Sequence, residues 1–480
     1  MSLASALNTT KATLSNNAVQ SGVVSNNISN ASSADYNRRT AITTTNASTG
    51  ATIVKIERTE DAALLKQTLA ATSDDAGKQT FLDGMNSLSV VLGGEEYTAA
   101  PATYLSTLQN ALQTYAASPS DVTLASAVVS ASADVANALN TSTQSVQALR
   151  ADADTEIATT VSKLNQLLSD FETANNAVKL ATSSGGDPNN ALDQREGLLK
   201  QISEIVGVST SVRSNNDMVL YTSDGTTLFE TNARTVSFDS MSAYDATATG
   251  GSIYIDGVAV KSGEGSNTNA KGSLPALLQL RDQVYPNYQS QLDEIARGLM
   301  GAFAETDTGG NAIAGLFTTS DGSEVDFETP ELVSGLAGLI TVSADAKASP
   351  VKLRDGSIAG DSPNTDGSTG YSDLLYKYAA ALNTQMEFDP NAGISTNVTL
   401  LSFATDSAGW AEEYRSNATT AAESTSAMLT KAKESYSNST GVNLDEELIQ
   451  MLDIEQSYKA AAKLMSTIDE LLKTLMEAAN

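Results

Sequence analysis

Carboxylates are the side chains in this sequence most able to suggest chemistry, since 57 residues are Asp or Glu while His and Cys are both absent. Four acidic groupings stand out: Asp152, Asp154 and Glu156; the run Asp445-Glu446-Glu447; the pair Asp74-Asp75; and Asp321 with Glu324. The first alternates as calcium ligands do, but an EF-hand loop needs Gly at its sixth position, where Ile157 stands, so a solvated helix face is expected. Asp445-Glu446-Glu447 follows Asn443, a residue suited to cap a helix, and negative charge in a first turn suits the helix dipole. The other two lie in polar stretches without the apolar pocket that raises a carboxyl pKa for general acid catalysis. Lack of His and Cys removes thiol nucleophiles, disulfides, Ser-His-Asp triads and most transition-metal sites. No GxxxxGK[ST] or GxGxxG follows a strand, so nucleotide binding has no support. The expectation is a protein that is not an enzyme, with no cofactor and no metal.

A balance of 28 basic against 57 acidic residues, net −29, opposes affinity built on phosphate neutralisation, so no nucleic-acid partner is expected. The acidity is spread along the chain, as on a surface that repels non-specific contacts. Hydrophobic residues reach 41% but aromatics only 5%, so the core must be built mainly from Ala, Leu, Val and Ile, which suits close helix packing. The first ten residues lack the apolar run of a cleaved signal peptide, and no run of about 18 apolar residues reads as a membrane span, so neither general secretion nor membrane insertion is expected.

At 480 residues the chain has room for two to four domains of roughly 100–200 residues each. Leu3, Leu7, Leu14, Val24 and Ile28 fall on heptad spacing, with Thr10, Asn17 and Ser21 at the remaining positions, a weak amphipathic helix. Leu444, Met451, Ile454, Tyr458, Ala461, Met465, Ile468, Leu472 and Leu475 keep the same spacing more strongly, with Glu447 the polar intruder. A helix over 444–479 would be about 54 Å long and needs a long partner, so pairing the two terminal segments is the economical arrangement. Each alone would be marginally helical, so residues 1–30 and 441–480 are expected to be largely disordered in the monomer and to become paired helices only on assembly.

Further helices are expected where Ile157, Val161, Leu164, Leu168, Phe171 and Val178, and then Tyr288, Leu292, Ile295, Leu299 and Phe303, repeat on one face. Ser118-Pro119-Ser120-Asp121 starts the first of these, and Ser183 to Pro188 breaks it near Thr182. Over 208–261 the period changes to two, with Asp224-Gly225 and Asp256-Gly257 placed for tight hairpins. The fold class is therefore mainly α with a β insertion: N- and C-terminal helices paired as a coiled coil, a central long-helix bundle and a small β-rich outer domain. The expected divisions are 1–30 and 441–480 for a terminal assembly domain, 31–207 and 269–440 for a helical rod-like domain with 306–370 loop-rich, and 208–268 for the outer domain.

Val24-Ser25-Asn26-Asn27-Ile28-Ser29-Asn30-Ala31 followed by Tyr36-Asn37-Arg38-Arg39 resembles the N-terminal signature of flagellar axial proteins, with Asp35 where that signature usually carries Gly. Val442-Asn443-Leu444-Asp445-Glu446-Glu447, Glu455-Gln456-Ser457-Tyr458-Lys459-Ala460 and Ile468-Asp469-Glu470-Leu471-Leu472 are similar to the matching signature at the other end. Ala191-Leu192-Asp193-Gln194-Arg195-Glu196 and Gly272-Ser273-Leu274-Pro275-Ala276-Leu277-Leu278 with Arg281 resemble interior segments of the hook-associated protein 1 (FlgK) family, and the likeness spans most of the chain. The resemblance implies a structural subunit exported unfolded through the flagellar type III apparatus to the extracellular flagellum. There it would polymerise at the hook tip as a ring or helical layer, joining hook protein to a second hook-filament junction protein, after an export chaperone has held its C-terminal helix. The implied assembly interface comprises Leu3, Leu7, Leu14, Val24, Asn27, Ile28, Leu444, Met451, Ile454, Tyr458, Met465, Ile468, Leu472 and Leu475. Alternatives are another axial subunit, hook protein or flagellin, or a flagellum-associated adhesin or enzyme that uses the β insertion as its working surface.

Overall fold

The computed structural model describes residues 2–46 and 50–479. Met1 and Asn480, which the expected terminal domain includes, lie outside the described residues.

The long helices are α1 (Leu3–Ser29), α2 (Ala62–Val91), α3 (Pro101–Ala117), α4 (Val122–Ser184), α5 (Asn189–Ile205), α6 (Ser273–Gln279) with α7 (Tyr285–Ala302), the one-turn helices α8 (Leu336–Leu339), α9 (Ala344–Ala348) and α10 (Lys352–Asp355), then α11 (Asp373–Ala381), α12 (Leu400–Thr440) and α13 (Leu444–Ala479). The strands form small antiparallel sheets: β1 (Arg39–Asn46) with β2 (Gly50–Arg58); β3 (Val208–Val212), β4 (Met218–Thr222) and β5 (Thr227–Phe229); and β6 (Val236–Ser237), β7 (Tyr254–Ile255) and β8 (Val258–Ala259). Three further two-stranded pairs are β9 (Glu305–Thr306) with β10 (Ala312–Ile313), β11 (Phe317–Thr319) with β12 (Ile340–Val342), and β13 (Gln385–Glu387) with β14 (Asn397–Thr399). Mainly α with small β elements and paired terminal helices is thus the observed class.

Chain contacts divide the protein into two compact units. Unit 1 comprises Met1–Asp75, Lys163–Thr235 and Thr425–Asn480 and holds α1, α5, α13 and the β1–β5 strands. Unit 2 comprises Ala76–Ser162 and Val236–Ser424 and holds α3, α6–α11 and the β6–β14 strands. The helices α2, α4 and α12 contribute residues to both.

Capping sets the helix starts. Ser2 Oγ accepts from Ser5 N at 3.2 Å at the head of α1, and Asp121 Oδ1 accepts from Thr123 N at 2.8 Å at the head of α4. Asn443 Oδ1 accepts from Asp445 N at 3.0 Å, as expected for α13. In unit 2 the face of α7 carrying Tyr288, Leu292, Ile295, Leu299 and Phe303 is wholly buried against residues of α2, α3 and α4 such as Phe81, Leu108 and Leu139. A stretch of α4 is long and apolar enough to cross a membrane by length and composition, and much of it is buried inside the fold.

The strands expected over 208–268 do not make one sheet. The β3–β5 sheet belongs to unit 1 and the β6–β8 sheet to unit 2. Phe229 of β5 meets Phe171 of α4 edge to face, with ring centroids 5.2 Å apart. The two hairpin turns form as expected, Asp256 and Gly257 at φ 50° and 79°, the paired left-handed residues of a tight two-residue loop. The β1/β2 hairpin, placed among helices from sequence, is a difference: its Thr, Ile and Val content favours a strand, and a bulge between Ile42 and Thr43 bends it.

Candidate assembly site where the two chain ends meet

Helices α1 and α13 run antiparallel in unit 1, tied by Asn27 to Glu447, Ser21 to Met451 and Asn17 Nδ2 to Ser457 Oγ at 3.0 Å. On α1 the buried residues are Thr10, Asn17, Val23, Val24 and Asn27, while Leu3, Leu7, Leu14 and Ile28 are half-buried. On α13 Glu447, Ile454, Ala461 and Ile468 are buried and Met451, Met465 and Leu472 half-buried. Leu444, Tyr458 and Leu475 of the expected stripe are exposed, and at Tyr458 the neighbouring Ser457, bonded to Asn17, takes the seam position. They share the outer surface of α13 with Leu448, Ile449, Leu452, Leu464, Leu471 and Met476.

Where α1 ends, Asn27 is 1% exposed and uses its whole amide: Oδ1 accepts from Tyr36 Oη at 2.8 Å and Arg39 N at 3.1 Å, and Nδ2 donates to Arg39 O at 2.9 Å and Glu447 Oε2 at 3.0 Å. Arg38 Nε donates to the other Glu447 oxygen at 2.7 Å, and Arg38 N to Thr440 O at 2.8 Å. Glu447, fully buried on the C-terminal helix, is therefore an acceptor held on both oxygens by the N-terminal segment rather than an intruder.

The segment Tyr36-Asn37-Arg38-Arg39 also reaches α5. Arg39 Nη2 donates to Asp193 Oδ2 at 2.8 Å, and Asn37 Nδ2 to Tyr436 Oη at 2.9 Å. Arg58 at the end of β2 bonds Asp193 Oδ1 through Nε at 2.6 Å and Glu196 through Nη2, while Tyr436 Oη donates to Glu196 Oε1 at 2.7 Å. Burial opposes charge on both Arg58 and Glu196, but each more than offsets it for the other: Glu196 lies below the usual carboxylate range and Arg58 above the usual guanidinium. Burial, with Glu196 beside it, raises the Tyr436 hydroxyl. Burial brings Arg195 down to about 10, its guanidinium donating to Asn175 Oδ1 at 2.8 Å. Asp35, in place of the usual Gly, is not at positive φ, so its side chain brings no backbone strain.

The second interior motif has its own centre in unit 2. A wide helical turn at Leu280–Val284 carries Arg281, which is fully buried and donates to Asp154 Oδ1 at 2.7 Å, Gly251 O at 2.7 Å and Asp282. Gly250 lets the guanidinium in, since a Cβ there would stand 2.4 Å from Arg281 Cζ. Asp154 also accepts from Tyr244 Oη at 2.6 Å and Met241 N at 2.7 Å. This corrects the reading of Asp154 as part of a solvated face: on a helix its position falls beside Ile157 on the buried side, while Asp152 and Glu156 remain exposed.

The other acidic groupings stay apart from these centres. Asp75 accepts from Thr425 Oγ1 at 3.3 Å, and Asp321 turns back on Ser323 in an exposed loop with Glu324 nearby. Among the described residues no group of three or more His, Cys, Asp or Glu is placed to hold a metal ion. Sequence reasoning took Asn27 but missed Arg38, Arg39, Arg58, Asp193, Glu196 and Tyr436 as parts of the site. Their signal was the clustering of Arg38, Arg39, Asp193 and Glu196 within the family-like segments.

The two ends of the chain are thus clasped into one helix pair by buried polar groups, with a row of apolar side chains exposed along α13. Residues 433–478 match the flagellar basal body rod FlgEFG protein C-terminal family, and residues 86–320 match the flagellar hook-associated protein FlgK helical domain. Over nearly half of its length the chain is thus similar to the helical domain of the FlgK family of flagellar hook-associated proteins. It is 26% identical over 301 residues to flagellar hook-associated protein 1 of Escherichia coli strain K12, covering 60% of this chain and 54% of that one. To flagellar hook-associated protein 1 of Bacillus subtilis strain 168 it is 25% identical over 396 residues, covering 77% and 74%. The solved flagellar hook junction protein FlgK of Burkholderia pseudomallei superposes with a TM-score of 0.43 at 24% identity, over 53% of this chain and 46% of that one. The chain thus spans about half the length of the enterobacterial relatives it matches.

Proposed function

We propose that this chain is a structural, non-catalytic subunit of the extracellular bacterial flagellum that polymerises at the hook tip, forming the hook-filament junction on which the filament is built. The observation that carries this reading is the terminal helix pair of a chain similar to the FlgK family, joined at Asn27 and Glu447, with Leu448, Ile449, Leu452, Leu464 and Leu471 left exposed along α13. Burying each such side chain is worth about 1.5–3 kcal/mol, so this face is suited to cover by neighbouring subunits. Residues 1–30 and 441–480 form the assembly segment. Its partners are copies of itself, hook protein below, a second junction protein above, and before export a chaperone that covers the C-terminal helix. Labelling an epitope-tagged copy tests the position. A short zone between hook and filament supports the reading, and label spread along the filament would replace it with a filament subunit or adhesin.

A further inference from the structure

The apolar residues of α13 along the seam, Met451, Ile454, Ala461, Met465, Ile468 and Leu472, recur at heptad spacing, so that sliding the helix by one heptad would still place apolar side chains in the seam. Hydrophobic burial alone therefore gives α1 and α13 little reason to prefer one alignment. What distinguishes the observed alignment is polar. Glu447, with no exposure, has one oxygen on Asn27 of α1 and the other on Arg38, whose backbone amide is bonded in turn to Thr440 just before α13. Asn27 has no spare donor or acceptor, since its remaining bonds go to Tyr36 and Arg39. In a slipped pair Asn27 would lose the Glu447 carboxylate and face another seam residue, and the carboxylate would lose a partner in an apolar seam.

We infer that Glu447 is a positioning residue that sets the register of the terminal helix pair, acting through Asn27 and Arg38 as a two-sided latch. The geometry supplies an off-centre lock at one end of a long pair whose α13 side is otherwise mostly apolar. Asn17 with Ser457 and Ser21 with Met451, the other polar contacts in the seam, are neutral pairs and weaker constraints. The inference concerns alignment within one chain and holds whatever place that chain takes in the flagellum, so its failure would leave the proposed junction role standing.

The absence of Cys makes a thiol test clean. In the full chain, Asn17→Cys with Ser457→Cys is treated with a bifunctional thiol reagent whose reach is less than the roughly 10 Å rise of seven helical residues. Matched chains carry Asn17→Cys with Gln450→Cys or with Leu464→Cys, which report a slip of one heptad in either direction. In this background Glu447 is the principal remaining polar lock. With Glu447 intact, cross-linking should be confined to the 17/457 pair, and Glu447→Gln, whose one amide oxygen can accept from only one of Asn27 and Arg38, should keep more of the 17/457 product than Glu447→Leu does. Glu447→Leu should lower the 17/457 yield by more than half and raise the 17/450 or 17/464 product, with helix content by circular dichroism retained. If Glu447→Leu instead weakens the pair outright, Asn27→Ala reads the same register through the other side of the latch. An unchanged 17/457 pattern in both Glu447→Leu and Asn27→Ala would overturn the inference, as would loss of all cross-links in both without any slipped product.

Discussion

Arg281 and Asp154 form a fully buried ion pair, Nη1 to Oδ1 at 2.7 Å, between residues 127 positions apart in sequence. Burial disfavours the Arg281 cation, yet Asp282 and Asp154 together hold its pKa above the ordinary value. Breaking such a pair from one side is costly because the other charge stays buried. Arg281→Leu is expected to destabilise unit 2 by about 3–5 kcal/mol in denaturant melts, and Asp154→Leu with Arg281→Leu should recover much of that loss. Additive effects of the two single changes would contradict the pairing.

Glu196 and Asp293 predict opposite pH responses. Glu196 is held below its ordinary range by Arg58 against the effect of burial, so its stabilising contribution is present above the unfolded carboxylate pKa of about 4.3 and is lost as pH falls through the folded value. The stability lost in Glu196→Gln relative to wild type should shrink on acidification below pH ~4.

Asp293 has the other sign. Burial pushes it up to about 6 despite hydrogen bonds from Gly335 N and Ala337 N, both at 2.8 Å. Its contribution is fully present below an unfolded pKa of about 3.9 and is lost as pH rises through the folded value. The stability difference between wild type and Asp293→Asn should therefore move against wild type from pH ~4 to ~7 and level off above. A difference independent of pH would mean the carboxyl is not buried as described.

Ile468 is buried in the seam and Leu472 half-buried, so a carboxylate at either place would have to be desolvated for α1 and α13 to pair. Ile468→Asp or Leu472→Asp should abolish incorporation at the hook tip, provided export persists. The unit 2 melting transition should be unchanged. Hydrogen exchange would give the companion readout, with α1 and α13 amides losing protection in the variants while α7 amides keep theirs.

The long helices were legible because their apolar residues repeat on one face: Ile157, Leu164, Leu168 and Phe171 are all buried as their spacing requires. Terminal pairing was legible for the same reason, helped by the length of the C-terminal stripe. The clasp was not, because Asn27 and Glu447 are 420 positions apart and a buried carboxylate has no periodic signature. Asp154 was misread since Asp-x-Asp-x-Glu has a two-residue period that a helix scatters over different faces. The β1/β2 hairpin was missed although Ile42, Ile53, Val54 and Ile56 among threonines carry the β-branched content of strands.

Electron microscopy of cells deleted for this chain tests the junction role most directly. The account predicts hooks of ordinary length that end bare, with flagellin released into the medium, and filaments restored when the intact chain is supplied again. Filaments of normal number and length on the deleted cells would contradict it.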